Sequence, residues 1–286
     1  MRHIPGLEWL PSGQAVLSGP LLEAFRFLDV RFARWARDAG AVEYRFPLFL
    51  SASELQRLDY FRSFPHLVTF PVALDEDPES LRAFAAADEP LDGEGAVRLG
   101  KLAPAREVLT PAACYHFYVL LQGRELDAPE NLTTVATCFR REAYYRPLQR
   151  QWNFTMRELV RIGTLEEVKE FLETMRARAD ELIAALELPV EWRVATDPFF
   201  DPTRNPKHLA QTLEPVKTEM VYDGELAIGS VNFHRNFFGE TFGITRGGEP
   251  AFSGCIAFGL ERWLYALLTR YGPDPRAWPA AVVEAR

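Results

Sequence analysis

The sequence predicts an α+β fold, a largely antiparallel sheet flanked by helices. Two pairings and two periodicities carry that prediction. Val135-Ala136-Thr137-Cys138-Phe139 and the run from Phe154 to Ile162 are apolar stretches joined by a polar loop, which reads as an antiparallel hairpin. Glu214 to Asp223 and Glu225 to Val231 meet at Asp223-Gly224, a tight-hairpin signal. Apolar residues recur every third or fourth position from Leu21 to Ala39 and from Val168 to Leu186, the helical period. Strands and helices are interspersed, with no clear linker, repeat or low-complexity segment. The 286 residues therefore read as one domain, 1–286.

In chain order, residues 1 to 17 are punctuated by Pro and Gly and carry no clear signal. Ser18-Gly19-Pro20 announces a helix, with Leu21, Phe25, Leu28, Phe32, Trp35 and Ala39 on its stripe and Gly40 as its stop. Val42 to Leu50 alternates like a strand, and Pro47 inside it implies an edge or an interruption. A short helix is expected over Ser53 to Leu58, and an aromatic strand over Phe61 to Val72. Residues 75 to 95 hold eight acidic residues against one Arg, the composition of a surface excursion. Val108 to Leu121 is strongly apolar and contains Cys114. After the first hairpin, Thr164 to Glu167 forms a capping box for a helix ended by Pro189. Residues 197 to 213, with three prolines, read as loop. Ser253 to Thr269 reads as strand, Gly turn and helix, before a Pro- and Ala-rich tail.

Composition excludes several classes. With 48% hydrophobic residues the chain can bury an ample core. No apolar run approaches the roughly 20 residues that span a bilayer, and the start shows no signal-peptide core, so a cytoplasmic protein without membrane contact is expected. Three cysteines, Cys114, Cys138 and Cys255, are too few for a disulfide framework. The net charge of −8 speaks against a broad nucleic-acid face but not against a local basic pocket for a nucleotide.

The chemistry concentrates at the first hairpin. Phe139-Arg140-Arg141-Glu142 is followed by a loop carrying Arg146 and Arg150, whose guanidinium groups suit bidentate phosphate contacts. This stretch resembles motif 2 of class II aminoacyl-tRNA synthetases. The resemblance implies bound ATP, with Arg140 on the α-phosphate, Glu142 near the adenine end and Phe154 stacked on the base. Arg150 and Gln151, from the loop end, join that ATP set. Gly259-Leu260-Glu261-Arg262 resembles motif 3, a glycine turn before a helix whose Arg262 reaches the γ-phosphate. The early helix and the strand at Val42 resemble motif 1, a dimer interface, so a homodimer is expected. Each pattern taken alone also fits a structural reading: a solvated hairpin, a helix-entry glycine, a plain helix-strand unit.

Cys114, Glu158 and Cys255 would make a zinc shell of three protein ligands with a fourth position open, as in catalytic zinc. Their spacing leaves this undecided, since buried cysteines also act as small hydrophobes, the reading that suits Cys138. A closer resemblance covers almost the whole chain. PAACYHFY (111–118), FRRE (139–142), WNFTMREL (152–159), KTE (217–219), AIGSVNFH (227–234) and GCIAFGLER (254–262) are similar, in order, to an atypical archaeal seryl-tRNA synthetase and to the amino acid:[carrier protein] ligases related to its catalytic domain. That resemblance implies a Zn²⁺ ion on Cys114, Glu158 and Cys255, with the substrate amine filling the open place. It adds Lys217, Ala227, Gly229 and Ser230 to the nucleotide side, and Ser230 and Asn232 to the amino acid side beside Glu158. Catalysis would rest on Arg140, Glu158 and Arg262 with Mg²⁺, whose ligands stay unassigned; Glu225 is a weak candidate. The strand ELAIGSVNFH lacks the cluster expected for serine, which points to glycine or alanine.

The expected reaction is activation of a small amino acid by ATP and transfer to the phosphopantetheine thiol of a small carrier protein. With no tRNA-binding domain or basic arm expected before residue 20, tRNA is not an expected partner. A truncated tRNA-charging enzyme and a non-catalytic regulatory paralogue are the alternatives.

Overall fold

The computed structural model describes residues 4–279 and 282. Its first element carries no clear sequence signal: a hairpin of Leu7–Leu10 (β1) and Gln14–Leu17 (β2). Gly13 at its turn has φ +82°, and a Cβ there would lie 2.6 Å from the Tyr145 ring. Gly19–Asp38 (α1) follows as expected. The predicted run from Val42 to Leu50 is split around Pro47 into Val42–Tyr44 (β3) and Phe49–Ser51 (β4). Ala52–Arg57 (α2) opens with a capping box between Ser51 and Glu54.

The strand expected over Phe61 to Val72 is not formed. Tyr60–Ser63 (α3) is a helical turn, and irregular chain follows. Pro65 and Pro71 each remove a ladder donor, which the aromatic content of the stretch masked. The acidic excursion is a surface element as expected, and it holds one helix, Pro78–Ala85 (α4), with no buried residue. Glu107–Leu109 (β5) pairs with β4, and Tyr115–Leu120 (α5) begins immediately after Cys114.

Glu125–Leu126 (β6), Glu130–Phe139 (β7) and Asn153–Gly163 (β8) come next, β7 and β8 forming the predicted hairpin in antiparallel register from Glu130↔Ile162 to Phe139↔Asn153. Leu165–Ala185 (α6) starts at the predicted Thr164 capping box, and Val190–Val194 (β9) follows. The stretch 197–213, expected as loop, contains the helix Pro206–Leu213 (α7). Asn205 caps it by accepting from the Lys207 N–H, and Pro206 fills its first turn, so the Asn-Pro pair was a start signal rather than a break.

Lys217–Tyr222 (β10) and Leu226–Arg235 (β11) make the second predicted hairpin. Phe237–Phe242 (α8), the short strands Thr245–Arg246 (β12) and Glu249–Pro250 (β13), Phe252–Gly259 (β14) and Leu260–Tyr271 (α9) complete the order. Gly259 does not serve as the expected tight turn: it is extended at φ −84°, and a Cβ there would meet only ordinary contacts at 3.6 Å or more. In the Pro- and Ala-rich tail, Trp278 is buried, whereas 280, 281 and 283–286 lie outside the described residues, as do residues 1–3 of the start.

One seven-stranded sheet organises the chain, in the order β3-β7-β8-β14-β11-β10-β9. Every neighbouring pair is antiparallel except β3 with β7. One face is covered by α1, α6 and α9, where Phe32 stacks on Phe258 at 3.8 Å and Trp263 closes the cluster. Buried Arg157 on that side of β8 pairs with Asp29 of α1 and Glu43 of β3, tying both elements to the central strand. The other face carries a second apolar cluster at one end, under α2, α5 and α8, and is otherwise open.

Candidate active site

Strand alternation decides which side chains reach the open face. Phe154, Met156 and Glu158 share it on β8. The register Ala257↔Glu158 and Cys255↔Val160 brings Cys255 to the same side on β14, and Asn232↔Cys255 with Ser230↔Ala257 adds β11. These residues floor a cavity of about 450 Å³. Every predicted site residue except Arg150 lines it, and Arg150 stands beside it, ion-paired to Glu142.

One end of the cavity is basic. The Arg140 Nε–H donates to the Pro111 carbonyl at 3.0 Å, and its guanidinium lies 5.1 Å from the centre of the Phe154 ring. Arg262, in the first turn of α9, is held by the carbonyls of Gln149 and Ala227, both at 2.8 Å. Burial, followed by the positive charges of Arg140 and Arg150, lowers its pKa to about 10. Like charges crowded in a buried place mark a site built for an anion. Lys217 bridges Asp197 and Glu219 at 3.1 Å each. Burial works against its charge, but the two carboxylates outweigh that and raise its pKa. Gln151 is buried, and Gly229 is confined by packing, since a Cβ there would strike the Met220 side chain at 2.2 Å and the Ala257 carbonyl at 2.7 Å.

Glu261 belongs to this end too, a residue to which the Gly259–Arg262 motif assigns no role. Its carboxylate accepts from the Thr155 N–H at 2.9 and 3.0 Å and from the Thr155 hydroxyl at 2.9 Å, locking α9 to β8 beside Phe154. Burial raises its pKa to about 7.

The other end is a cluster of soft and acidic donors. Cys114 comes from the start of α5 and Cys255 from the middle of β14, and both are buried. Their sulfurs and a ring nitrogen of His234 all lie within 4.8 Å of one another. Hydrogen bonding from Cys114 holds the Cys255 thiol well below its usual range against the effect of burial, with His234 and Asn232 adding to it. The same bond, together with burial, pushes the Cys114 thiol up. Glu158 is turned to this cluster: Oε1 accepts from the Ala113 N–H at 3.2 Å, whereas Oε2 is buried with no hydrogen-bond partner among the described residues. Burial, with the neighbouring Cys255 charge, raises Glu158 to about 7. Two sulfurs, an imidazole and a carboxylate with a free oxygen form a donor set that fits a zinc ion.

The predicted Cys114, Glu158 and Cys255 line one cavity from positions up to 141 residues apart, but the ligand atoms within 4.8 Å of one another are those of Cys114, His234 and Cys255. His234 was missed. The signal was present in parity, since Ser230, Asn232 and His234 stand two residues apart. Cys138 is fully buried in β7 and does not line the cavity.

No family model matches the chain. Over 254 residues it is 35% identical to amino acid--[acyl-carrier-protein] ligase 1 of Bradyrhizobium diazoefficiens, covering 86% of this chain and 76% of that protein. The second such ligase of that organism is 33% identical, covering 86% and 75%. Type-2 serine--tRNA ligase of Methanopyrus kandleri is 27% identical over 310 residues, spanning 99% of this chain and 57% of the relative. The crystal structure of A. aeolicus tRNASec in complex with M. kandleri SerRS matches the fold with a TM-score of 0.83 at 25% identity, over 98% of this chain and 58% of that one. A cytoplasmic serine-tRNA ligase from Naegleria fowleri in complex with AMP matches at a TM-score of 0.65 and 13% identity, over 91% and 51%, a likeness of fold alone. The predicted fold class holds: this is the catalytic-domain architecture of class II aminoacyl-tRNA synthetases. At 35% identity over three quarters of the relative's length, the chain belongs to the amino acid--[acyl-carrier-protein] ligases, a family of enzymes.

Proposed function

We propose that this chain activates a small amino acid, glycine or alanine, with ATP and transfers it to the phosphopantetheine thiol of a small carrier protein. One observation carries the proposal: a single cavity has guanidinium groups at one end and a sulfur-carboxylate cluster at the other, with Ser230 and Asn232 between. ATP lies along the basic end with its base on Phe154. Arg140 and Arg262 hold the phosphates and offset the charge that develops when the amino acid carboxylate attacks the α-phosphorus and pyrophosphate leaves. Glu142 and Arg150 support the adenine end, Gln151 and Lys217 contact the nucleotide, and Ala227 and Gly229 form its wall. A Mg²⁺ ion accompanies the ATP.

At the other end Cys114, Cys255 and Glu158 would hold zinc, which supplies a Lewis acid able to take an unprotonated α-amine and so favours amino acids over plain acids. Ser230 and Asn232 border the side-chain space. In the second half-reaction the carrier's thiol attacks the adenylate carbonyl, a thioester forms and AMP leaves. The acidic surface at 75–95 and the net charge of −8 disfavour an RNA acceptor stem and support a protein acceptor.

We extend the reading to a homodimer. Val30 of α1, Val42 of β3 and, at the start of β4, Leu48 and Phe49 are exposed apolar side chains suited to cover by a second copy. Sedimentation analysis tests that part. The activity is tested by amino-acid-dependent exchange of pyrophosphate into ATP without RNA: glycine or alanine should support it, and a lack of exchange with all twenty amino acids would refute it.

A further inference from the structure

The β1–β2 hairpin stands outside the seven-stranded sheet, yet its turn reaches the loop between β7 and β8. A two-stranded hairpin is marginal by itself, and this one is anchored. Leu7, Ala15 and Leu17 pack against the core cluster of α1, α6 and α9, and the Ser18 N–H donates to the Gly6 carbonyl at 2.8 Å. The turn itself is a three-residue loop, Pro11-Ser12-Gly13. The Gly13 N–H closes it on the Leu10 carbonyl at 3.0 Å, with Gly13 left-handed. Gly13 and Gln14 tie this turn to the far loop. The Gly13 carbonyl accepts from the Trp152 N–H at 3.0 Å, and the Gln14 side-chain amide donates to Asn153 Oδ1 at 2.7 Å. The Tyr145 ring lies over Gly13, in the space that a Cβ would fill, and meets the Trp152 ring at 5.8 Å. From there the contacts run to the nucleotide residues. The Trp152 carbonyl accepts from the Arg140 N–H at 3.2 Å, and Asn153 precedes Phe154. Within the loop, Arg146 and Arg150 exchange backbone hydrogen bonds at 2.7 and 2.9 Å. Leu148, left-handed at φ +60° and buried, joins the core cluster, and the Gln149 carbonyl turns to Arg262. The loop is thus held from inside by Leu148 and from outside by Gly13.

We propose that the β1–β2 turn is a positioning element for the nucleotide: Gly13 and Gln14 clamp the loop from Arg140 to Phe154 through Tyr145, Trp152 and Asn153. The inference deepens the ATP reading above and rests on it. A loop with few buried contacts opens easily, and Arg140, Arg150 and Phe154 all depend on this one for their aim. Clamping it before ATP arrives lowers the ordering cost of binding. Gly13 serves the clamp in two ways, since it adopts φ +82° without strain and leaves room for the Tyr145 ring. Gly13, Gln14, Tyr145, Trp152 and Asn153 do not line the cavity, so they act through the loop. Their effect falls on ATP and spares the amino acid end, which is built on β11 and β14.

Equilibrium titration with ATP tests this, together with KM values for ATP and for the amino acid in pyrophosphate exchange. Gly13→Asn keeps a residue that tolerates the left-handed conformation and adds a Cβ against Tyr145. It should weaken ATP binding by about 10- to 100-fold, the scale of a misplaced binding group, and leave KM for the amino acid within about threefold. Tyr145→Ala should weaken ATP binding likewise. The double variant should bind no more weakly than the weaker single, since both changes break one contact. Gly95→Asn is the control: it has the same φ of +82° with no atom within 4 Å of its Cβ, and it should leave the Kd for ATP unchanged. Unchanged ATP affinity in both Gly13→Asn and Tyr145→Ala overturns the inference and leaves the ATP reading standing. So do effects that multiply in the double variant, or an equal rise in both KM values. A folded wild type with no affinity for ATP overturns both readings. Tyr145→Ala decides the matter if Gly13→Asn fails to fold.

Discussion

The side-chain amide of Asn232 donates to the sulfur of Cys255 across 3.3 Å and to the Ser230 hydroxyl at 3.0 Å. The two residues are direct partners in the β11–β14 ladder. The strand that borders the substrate space is therefore tied to the cluster that would hold the amine, and one backbone register sets both. Losing a hydrogen bond to a charged group costs about 1.5–3 kcal/mol. Asn232→Ala should raise KM for the amino acid by roughly 10- to 100-fold in pyrophosphate exchange while leaving KM for ATP within about threefold. Equal rises in both would place Asn232 outside the amino acid subsite.

Arg140 and Arg262 converge on the other end, Arg140 aimed by one backbone carbonyl and Arg262 by two. Arg140→Ala should lower exchange by about 100-fold or more, as lost transition-state charge stabilisation does. Arg140→Lys should rescue little, because an ammonium lacks the planar fork that reaches both Pro111 and a phosphate. Full activity in Arg140→Lys would argue that charge alone matters there.

Glu261 gives the stability a pH signature. Its folded pKa is about 7 against an ordinary 4.5. Between those values the folded state keeps a proton that the unfolded chain has released, so its contribution is fully present below about 4.5 and is lost as pH rises through about 7. The slope reaches at most about 1.4 kcal/mol per pH unit. Glu261→Gln has no such term. Urea unfolding from pH 5 to 8 should show wild type losing more stability than the variant, and parallel profiles would contradict the assignment.

Arg157 is 1% exposed and joins β8 to Asp29 and Glu43. Breaking a buried pair costs about 3–5 kcal/mol, and the partial exposure of Asp29 reduces that here. Asp29→Ala should destabilise by about 2 kcal/mol in urea unfolding, with the zinc content unchanged. A loss below about 0.5 kcal/mol would mean that Glu43 alone satisfies the guanidinium.

The parts of this protein written in local chemistry were legible from its sequence. The β7–β8 hairpin, the Thr164 capping box and the Asp223-Gly224 turn are short-range signals, and Arg140, Glu158 and Asn232 on those hairpins line one cavity. What escaped depends on distance or context. His234 is aimed by a bulge whose cause lies in the pairing with β14, and parity alone hinted at it. Glu261 is defined by Thr155, 106 residues away. The helix α7 was hidden because its Asn-Pro start looked like a break, and the aromatic stretch at 61–72 was misread because Phe residues suit strands and prolines do not.

The acceptor separates a carrier-protein ligase from a tRNA-charging enzyme, and it can be read by mass. A phosphopantetheinylated carrier protein is incubated with the enzyme, ATP and glycine or alanine and weighed by mass spectrometry, with total tRNA offered in parallel. The holo-carrier should gain one aminoacyl mass that hydroxylamine removes, the apo-carrier should gain none, and tRNA should remain uncharged. Charged tRNA beside an unmodified holo-carrier would contradict the account.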